Sequence, residues 1–280
     1  MAWSRLSVPA STVRQVDTDL DYLGHLTQES ARFGEVIAGA PPEARVLSCP
    51  DWTADDLLWH LAWVQSWWAT IVRDNVTGPD AKQLLPERPP ARPELLKFYE
   101  QASRALREVL RTVTADTPAW TWSDDHTVGF IRRKQAHEAL IHRIDAEITA
   151  AKRTAMDPRL SADGVDEVLR VMYSGVPEWG NFAADESRTL RIQATDTGDS
   201  WLITLGRFTG IDPDEGTSYD EPDFHVAGSD SGQQAAALIS GSAADLDCWL
   251  WHRPPAAPTV RTGNGDVLAE FEAAIAPGLD

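Results

Sequence analysis

The sequence predicts a two-domain α+β protein: a four-helix bundle over residues 1–155, then a smaller α+β domain over residues 156–280. Three observations carry this expectation. Apolar residues before Lys152 recur at a helical period, strand-like runs between turn residues begin only after it, and residues 154–158 between them read as a linker. A chain of 280 residues, 42% of them apolar, is also long enough to bury a sizeable core.

The first helix is expected over residues 13–37, where Leu20, Leu23, Leu26 and Phe33 keep a rough helical period; Gly39-Ala40-Pro41-Pro42 ends it. The second starts after Thr53, which can cap it while Asp56 closes an acidic capping box, and it should continue to Asp74. Asp55 and Asp56 in that first turn also suit the positive end of the helix dipole. Residues 77–93 hold five prolines and read as a loop. A third helix is expected over residues 94–114, with Leu95, Phe98, Leu106, Val109 and Leu110 on its apolar side. A break at 118–125 contains Trp120 and Trp122, and a fourth helix should run over 128–152. Four such helices joined by loops make a bundle the natural arrangement. Beyond the linker the expected elements are a helix at 162–179, strands at 189–195, 201–208 and 223–227, and helices at 233–239, 243–251 and 267–275.

Charge and cysteine content narrow the function. Asp plus Glu number 43 against 25 Lys plus Arg, a formal net charge of −18, and so acidic a surface repels phosphate backbones; DNA or RNA is not expected as a ligand. The two cysteines, Cys49 and Cys248, form no disulfide framework and no CxxC pair, which fits a reducing cytoplasm. No signal peptide and no stretch of membrane-spanning length is evident, so neither a membrane nor secretion is expected. Of 12 tryptophans, five lie between Trp52 and Trp68, an aromatic wall that is either core or one side of a binding site.

Three residues carry the candidate chemistry. Glu138 and His142 are four apart on the fourth helix and share a face; His60 lies on the second helix and can complete a set of three if the two helices are neighbours. Two His and one carboxylate suit zinc, iron or another first-row metal, and three protein ligands leave positions open for chemistry. The same spacing also fits an ordinary i, i+4 helix pair, and His60, followed on its own face by Val64, Trp67, Trp68 and Ile71, also fits a core histidine bonded to a carbonyl. His137 is turned by about 100° from Glu138, whereas Asp145, three residues beyond His142, can orient that imidazole.

The segment Ser48-Cys49-Pro50-Asp51-Trp52-Thr53-Ala54-Asp55-Asp56-Leu57-Leu58-Trp59-His60-Leu61-Ala62 resembles the "CPxWTxxDLxxHLA" signature of the mycothiol-dependent maleylpyruvate isomerase family. His137-Glu138-Ala139-Leu140-Ile141-His142-Arg143-Ile144-Asp145 looks like its second motif, and Gly241-Ser242-Ala243-Ala244-Asp245-Leu246 with Trp249-Leu250-Trp251-His252-Arg253 is similar to its C-terminal domain. The resemblance covers almost the whole chain, and three motifs in order are more specific than any one. It implies a DinB-like metal-binding four-helix bundle followed by a sterol-carrier-protein-like α+β domain. It implies zinc, or another divalent metal, on His60, Glu138 and His142, with mycothiol as cosubstrate, and Arg253 as the residue that meets an acid.

The implied chemistry is activation of mycothiol by the metal for attack on an electrophilic small molecule, as an isomerase or an S-transferase, because a free thiol is mostly protonated at neutral pH. Trp67, Arg133 and Asp145 are the candidate contacts around the cosubstrate: Trp67 from the aromatic face, Arg133 from the basic run Arg132-Arg133-Lys134, Asp145 through His142. Cys49, before Pro50 at the start of a helix, reads as a packed small side chain. Two other classes stay open: a metal-dependent hydrolase using zinc-bound water, and a non-catalytic metal- or small-molecule-binding protein. The second domain is expected to close over the metal, with the segment ending in Arg253 facing it, in a monomer or homodimer.

Overall fold

A computed structural model describes residues 20–227 and 233–279. The described residues divide into two compact units, one of residues 21–155 and one of residues 156–227 and 233–279 together with Leu20. The first holds five helices: α1 (Tyr22–Gly39), α2 (Ala54–Asp74), a short α3 (Gly78–Gln83), α4 (Arg92–Thr112) and α5 (Val128–Thr149). The four long ones close into a bundle in which α1 and α2 each touch both α4 and α5. The proposed start of the first helix before residue 20 lies outside the described residues.

Local chemistry sets these helices as the sequence suggests. Thr53 accepts from the Asp56 amide while the Asp56 carboxylate accepts from the Thr53 amide, so α2 begins on a full capping box. Asp21 caps α1 and Thr127 caps α5 through their side chains. Asn75 ends α2 in the left-handed conformation that Asn tolerates better than most residues. Fully buried Leu26, Phe33, Leu57, Leu61, Leu106 and Leu140 fill the space between helices. The proline-rich segment is not all loop: Gly78 and Pro79 start α3, and Gly78 leaves room there for the Trp120 and Trp67 rings, which a Cβ would meet at 2.3 and 2.9 Å.

A buried ionic network fastens α1 to α5. Arg143 donates to Glu29 at 2.7 Å and to Glu147 at 3.0 Å; Arg32 donates to the other Glu147 oxygen at 2.8 Å; and Thr154 donates to Glu147 from its amide and hydroxyl. Arg143 and Glu147 are 2% and 0% exposed, so each needs the other's charge.

The second unit is a mixed five-stranded sheet of order β3-β2-β1-β4-β5, from β1 (Gly180–Ala194), β2 (Ser200–Ile211), β3 (Ser218–Val226), β4 (Ala237–Gly241) and β5 (Val260–Gly263). Among the described strands only β1 and β4 pair in parallel, starting with Leu190 opposite Ala237. Helices α6 (Pro158–Glu167), α7 (Ala243–Leu250) and α8 (Gly265–Ile275) complete it; α8 lies on the sheet and α6 against α7. Three expectations are corrected here. The helix expected at 233–239 is replaced by β4, because pairing with β1 and alternate burial of Ala237 and Ile239 override the helix-forming Ala and Gln. The helix expected at 162–179 begins earlier, at Asp157-capped Pro158, and after Glu167 widens into an i→i+5 turn through Met172. The edge strand β5 was not expected; all four of its residues are exposed, so no apolar alternation marks it.

The network yields two predictions. Arg143→Met leaves two carboxylates facing each other's helices without their shared cation, and should lower the unfolding free energy by about 3–5 kcal/mol, read from denaturant curves. Glu147 titrates below its ordinary 4.5: burial opposes the charge, but Arg32, Thr154 and Arg143 together outweigh it. A depressed folded pKa contributes stability above the unfolded value that is lost as pH falls through the folded one. Stability should therefore fall more steeply below pH 4.5 in the native protein than in Glu147→Gln; parallel acid-unfolding profiles would reject this role.

Candidate metal centre

Neighbouring α2 and α5 bring the three sequence-selected residues together. Glu138 Oε1 lies 3.1 Å from His60 Nε2 and 3.2 Å from His142 Nε2. One donor atom from each residue falls within 4.8 Å of the others. At about 100° per residue, Glu138, His142 and Asp145 share one face of α5 with Lys134. Both histidine side chains are less than a tenth exposed, and Glu138 is 13% exposed.

The surroundings orient each of these side chains. Asp145, fully buried, places Oδ2 3.0 Å from His142 Nδ1, so that nitrogen carries the proton and Nε2 turns to Glu138. Ser48 donates to the other Asp145 oxygen. Ser48 sits in a closed turn: the Val46 amide donates to Trp52 O, the Cys49 amide to Val46 O, and the Trp52 amide to Cys49 O. That turn also sets the Trp52 ring 4.7 Å from the His60 ring and 6.3 Å from the His142 ring. Ser48 and Trp52 were not singled out from sequence; their place in the Ser-Cys-Pro-Asp-Trp segment was the available signal. Cys49 packs on the bundle core.

Charge follows geometry. Burial and the neighbouring His142 lower His60 against the pull of Glu138. For His142 the hydrogen bonds to Asp145 and Glu138 overcome burial and raise it. Glu138 is held well below the usual carboxylate range although burial opposes its charge, first by Lys134 and then by the two histidines.

The donor set fits a divalent cation. Metal–ligand bonds of about 2.0–2.2 Å place adjacent tetrahedral ligand atoms roughly 3.3–3.6 Å apart, within a few tenths of an ångström of the two Glu138–histidine distances of 3.1 and 3.2 Å. Imidazole and carboxylate are donors for zinc and other first-row ions, and three of them leave open positions.

The remaining candidates are placed as follows. Of the basic run, Arg132 donates to the carbonyls of Leu110 and Val113 at the end of α4, and Lys134 reaches Glu138. Arg133 is buried, about 140° around α5 from Glu138. Trp67 donates its indole N–H to Gly78 O at 2.9 Å and meets Trp63, Trp68 and Trp120. Arg253 belongs to the second unit; it is buried, its guanidinium donates to Trp251 O and Leu279 O and lies over the Trp251 ring.

If the three atoms hold one cation, His142→Ala should leave the protein without stoichiometric metal by elemental analysis. Asp145→Asn should keep the site but weaken it about 10- to 100-fold, in a competition titration with a chelator. Full occupancy in His142→Ala would show that another residue is the ligand.

Two family models match in order: residues 23–147 match the mycothiol maleylpyruvate isomerase N-terminal domain, and residues 159–272 match the C-terminal domain of the same isomerase. No curated protein sequence matches at a significant level. Among solved structures, a mycothiol-dependent maleylpyruvate isomerase superposes with a TM-score of 0.53, and a histidine-to-alanine mutant of such an isomerase with 0.55. Each is 12% identical, over 87% of this chain and 93% of the other. At that identity the likeness speaks for the fold, and the two domain models carry the kinship: the chain belongs to the mycothiol-dependent maleylpyruvate isomerase family.

Proposed function

We propose that this chain is a mycothiol-dependent enzyme in which a divalent cation, zinc in the first instance, sits on His60, Glu138 and His142 and activates the thiol for addition to an electrophilic small molecule. The observation that carries the reading is the convergence of two imidazole nitrogens on one carboxylate oxygen, in a chain with both domains of the isomerase family. The cation would supply a positive charge that favours thiolate over thiol, whereas a free thiol of pKa near 8.5 is only about 3% ionised at pH 7.

The chain's own residues prepare that step. Asp145 fixes the tautomer of His142, and Ser48 fixes Asp145. The Trp52 ring covers His60 and keeps water from that side. Neither cysteine belongs to the ligand group: Cys49 packs on the bundle core, and Cys248, fully buried, lies 3.5 Å from Met156 Sδ. The nucleophile in this reading is therefore an added thiol. Addition to a conjugated carbonyl followed by rotation and loss of the thiol gives isomerisation; retention of the sulfur gives S-transfer.

The test compares metal-loaded protein with and without mycothiol on a conjugated keto acid. Turnover should require the thiol, survive Cys49→Ser and Cys248→Ser, and disappear in His60→Ala. Equal turnover without thiol would sink the thiol reading and favour hydrolysis at the same three ligands.

A further inference from the structure

Glu138 uses its two oxygens differently. Oε1 faces both histidines, at 3.1 and 3.2 Å, while Oε2 faces the Lys134 ammonium at 3.3 Å. Lys134 lies one turn earlier on α5, is 5% exposed, and so meets Glu138 with little water to screen the pair. We propose that Lys134 is a positioning residue for this centre: it holds Oε2 away, so that Glu138 offers a cation Oε1 alone. The inference rests on the metal reading above and adds to it a cause for the number of open positions.

The argument is one of competing claims on a single group. A carboxylate can meet a cation through one oxygen or through both. Nothing in two imidazoles and a Glu by itself forbids the second mode, which would occupy a position that a thiol needs. A buried ammonium beside Oε2 opposes it, because turning that oxygen to the metal would give up its attraction to the Lys134 charge. Lys134 also offsets one of the two negative charges, Glu138 and Asp145, that surround the ligand set. A centre that keeps more of its positive charge binds an anionic sulfur better. Arg132, two residues earlier, is committed to the carbonyls at the end of α4, so it does not duplicate this contact.

The experiment replaces zinc by cobalt(II) in the full chain and compares the native protein with Lys134→Met and Lys134→Arg. Circular dichroism checks that each variant is folded. The visible cobalt bands should be intense in the native protein, as in four-coordinate ions, and several-fold weaker in Lys134→Met, where the freed oxygen adds a fifth ligand. X-ray absorption of the zinc form should gain one light-atom neighbour in the same variant. Lys134→Arg, which keeps the charge, should restore the native spectrum; a merely structural role for Lys134 would change stability without moving cobalt intensity. Cobalt bound with the same spectrum in Lys134→Met overturns this proposal alone. A native protein that takes up no cobalt overturns it together with the metal reading.

Discussion

The site depends on one constraint: a single buried carboxylate oxygen, Oε1 of Glu138, faces imidazole nitrogens from two different helices. Buried polar groups must find partners, and leaving any of these three without one would cost more than a typical hydrogen bond returns. Their positions therefore demand that α2 and α5 keep a fixed register. Much of the bundle serves that demand. The capping box sets where α2 starts, and with it the turn on which His60 falls. The Arg143–Glu29 and Arg32–Glu147 pairs tie α5 to α1 just beyond His142.

The segment before α2 gains its meaning from the same constraint. Its turn from Val46 to Trp52 holds two groups against the two histidines: Ser48 on Asp145, and so on His142, and Trp52 on His60. The Ser-Cys-Pro-Asp-Trp-Thr run is thus a device that joins a helix cap to the far wall of the site. Cys49, the residue in it that first draws a chemist's eye, packs as a small side chain against the core.

The second unit solves a different problem by different means. Its sheet is satisfied mainly by backbone pairing, and its polar side chains close locally. Asp166 accepts from both Arg170 and the Trp201 indole, and Asp245 accepts from Ser242, the cap of α7, and from the amides of Ala256 and Ala257. Arg253 is held the same way by nearby carbonyls and a ring.

The helical half and the grouping of Glu138 with His142 were legible in the sequence because their signals are local. Thr53 and Asp56 act three residues apart, Glu138 and His142 four apart, and the apolar period of each helix is read within a few turns. The helix face also put Asp145 on His142 before any coordinates. Tertiary structure decided what depends on distant neighbours. The strand β4 exists because β1 lies beside it, and β5 because β4 does; the Gln-Ala run leading into β4 and the short Val-Arg-Thr-Gly of β5 carry no clear trace of either pairing. Which member of the basic run reaches Glu138 was likewise open, since three consecutive cations differ only in the direction each leaves the helix. The roles of Ser48 and Trp52 needed a turn closed against another helix. Sequence set the residue types and their spacing along each helix; only packing could set which atoms from separate elements face one another, because burial and pairing are properties of neighbours that the chain order does not contain.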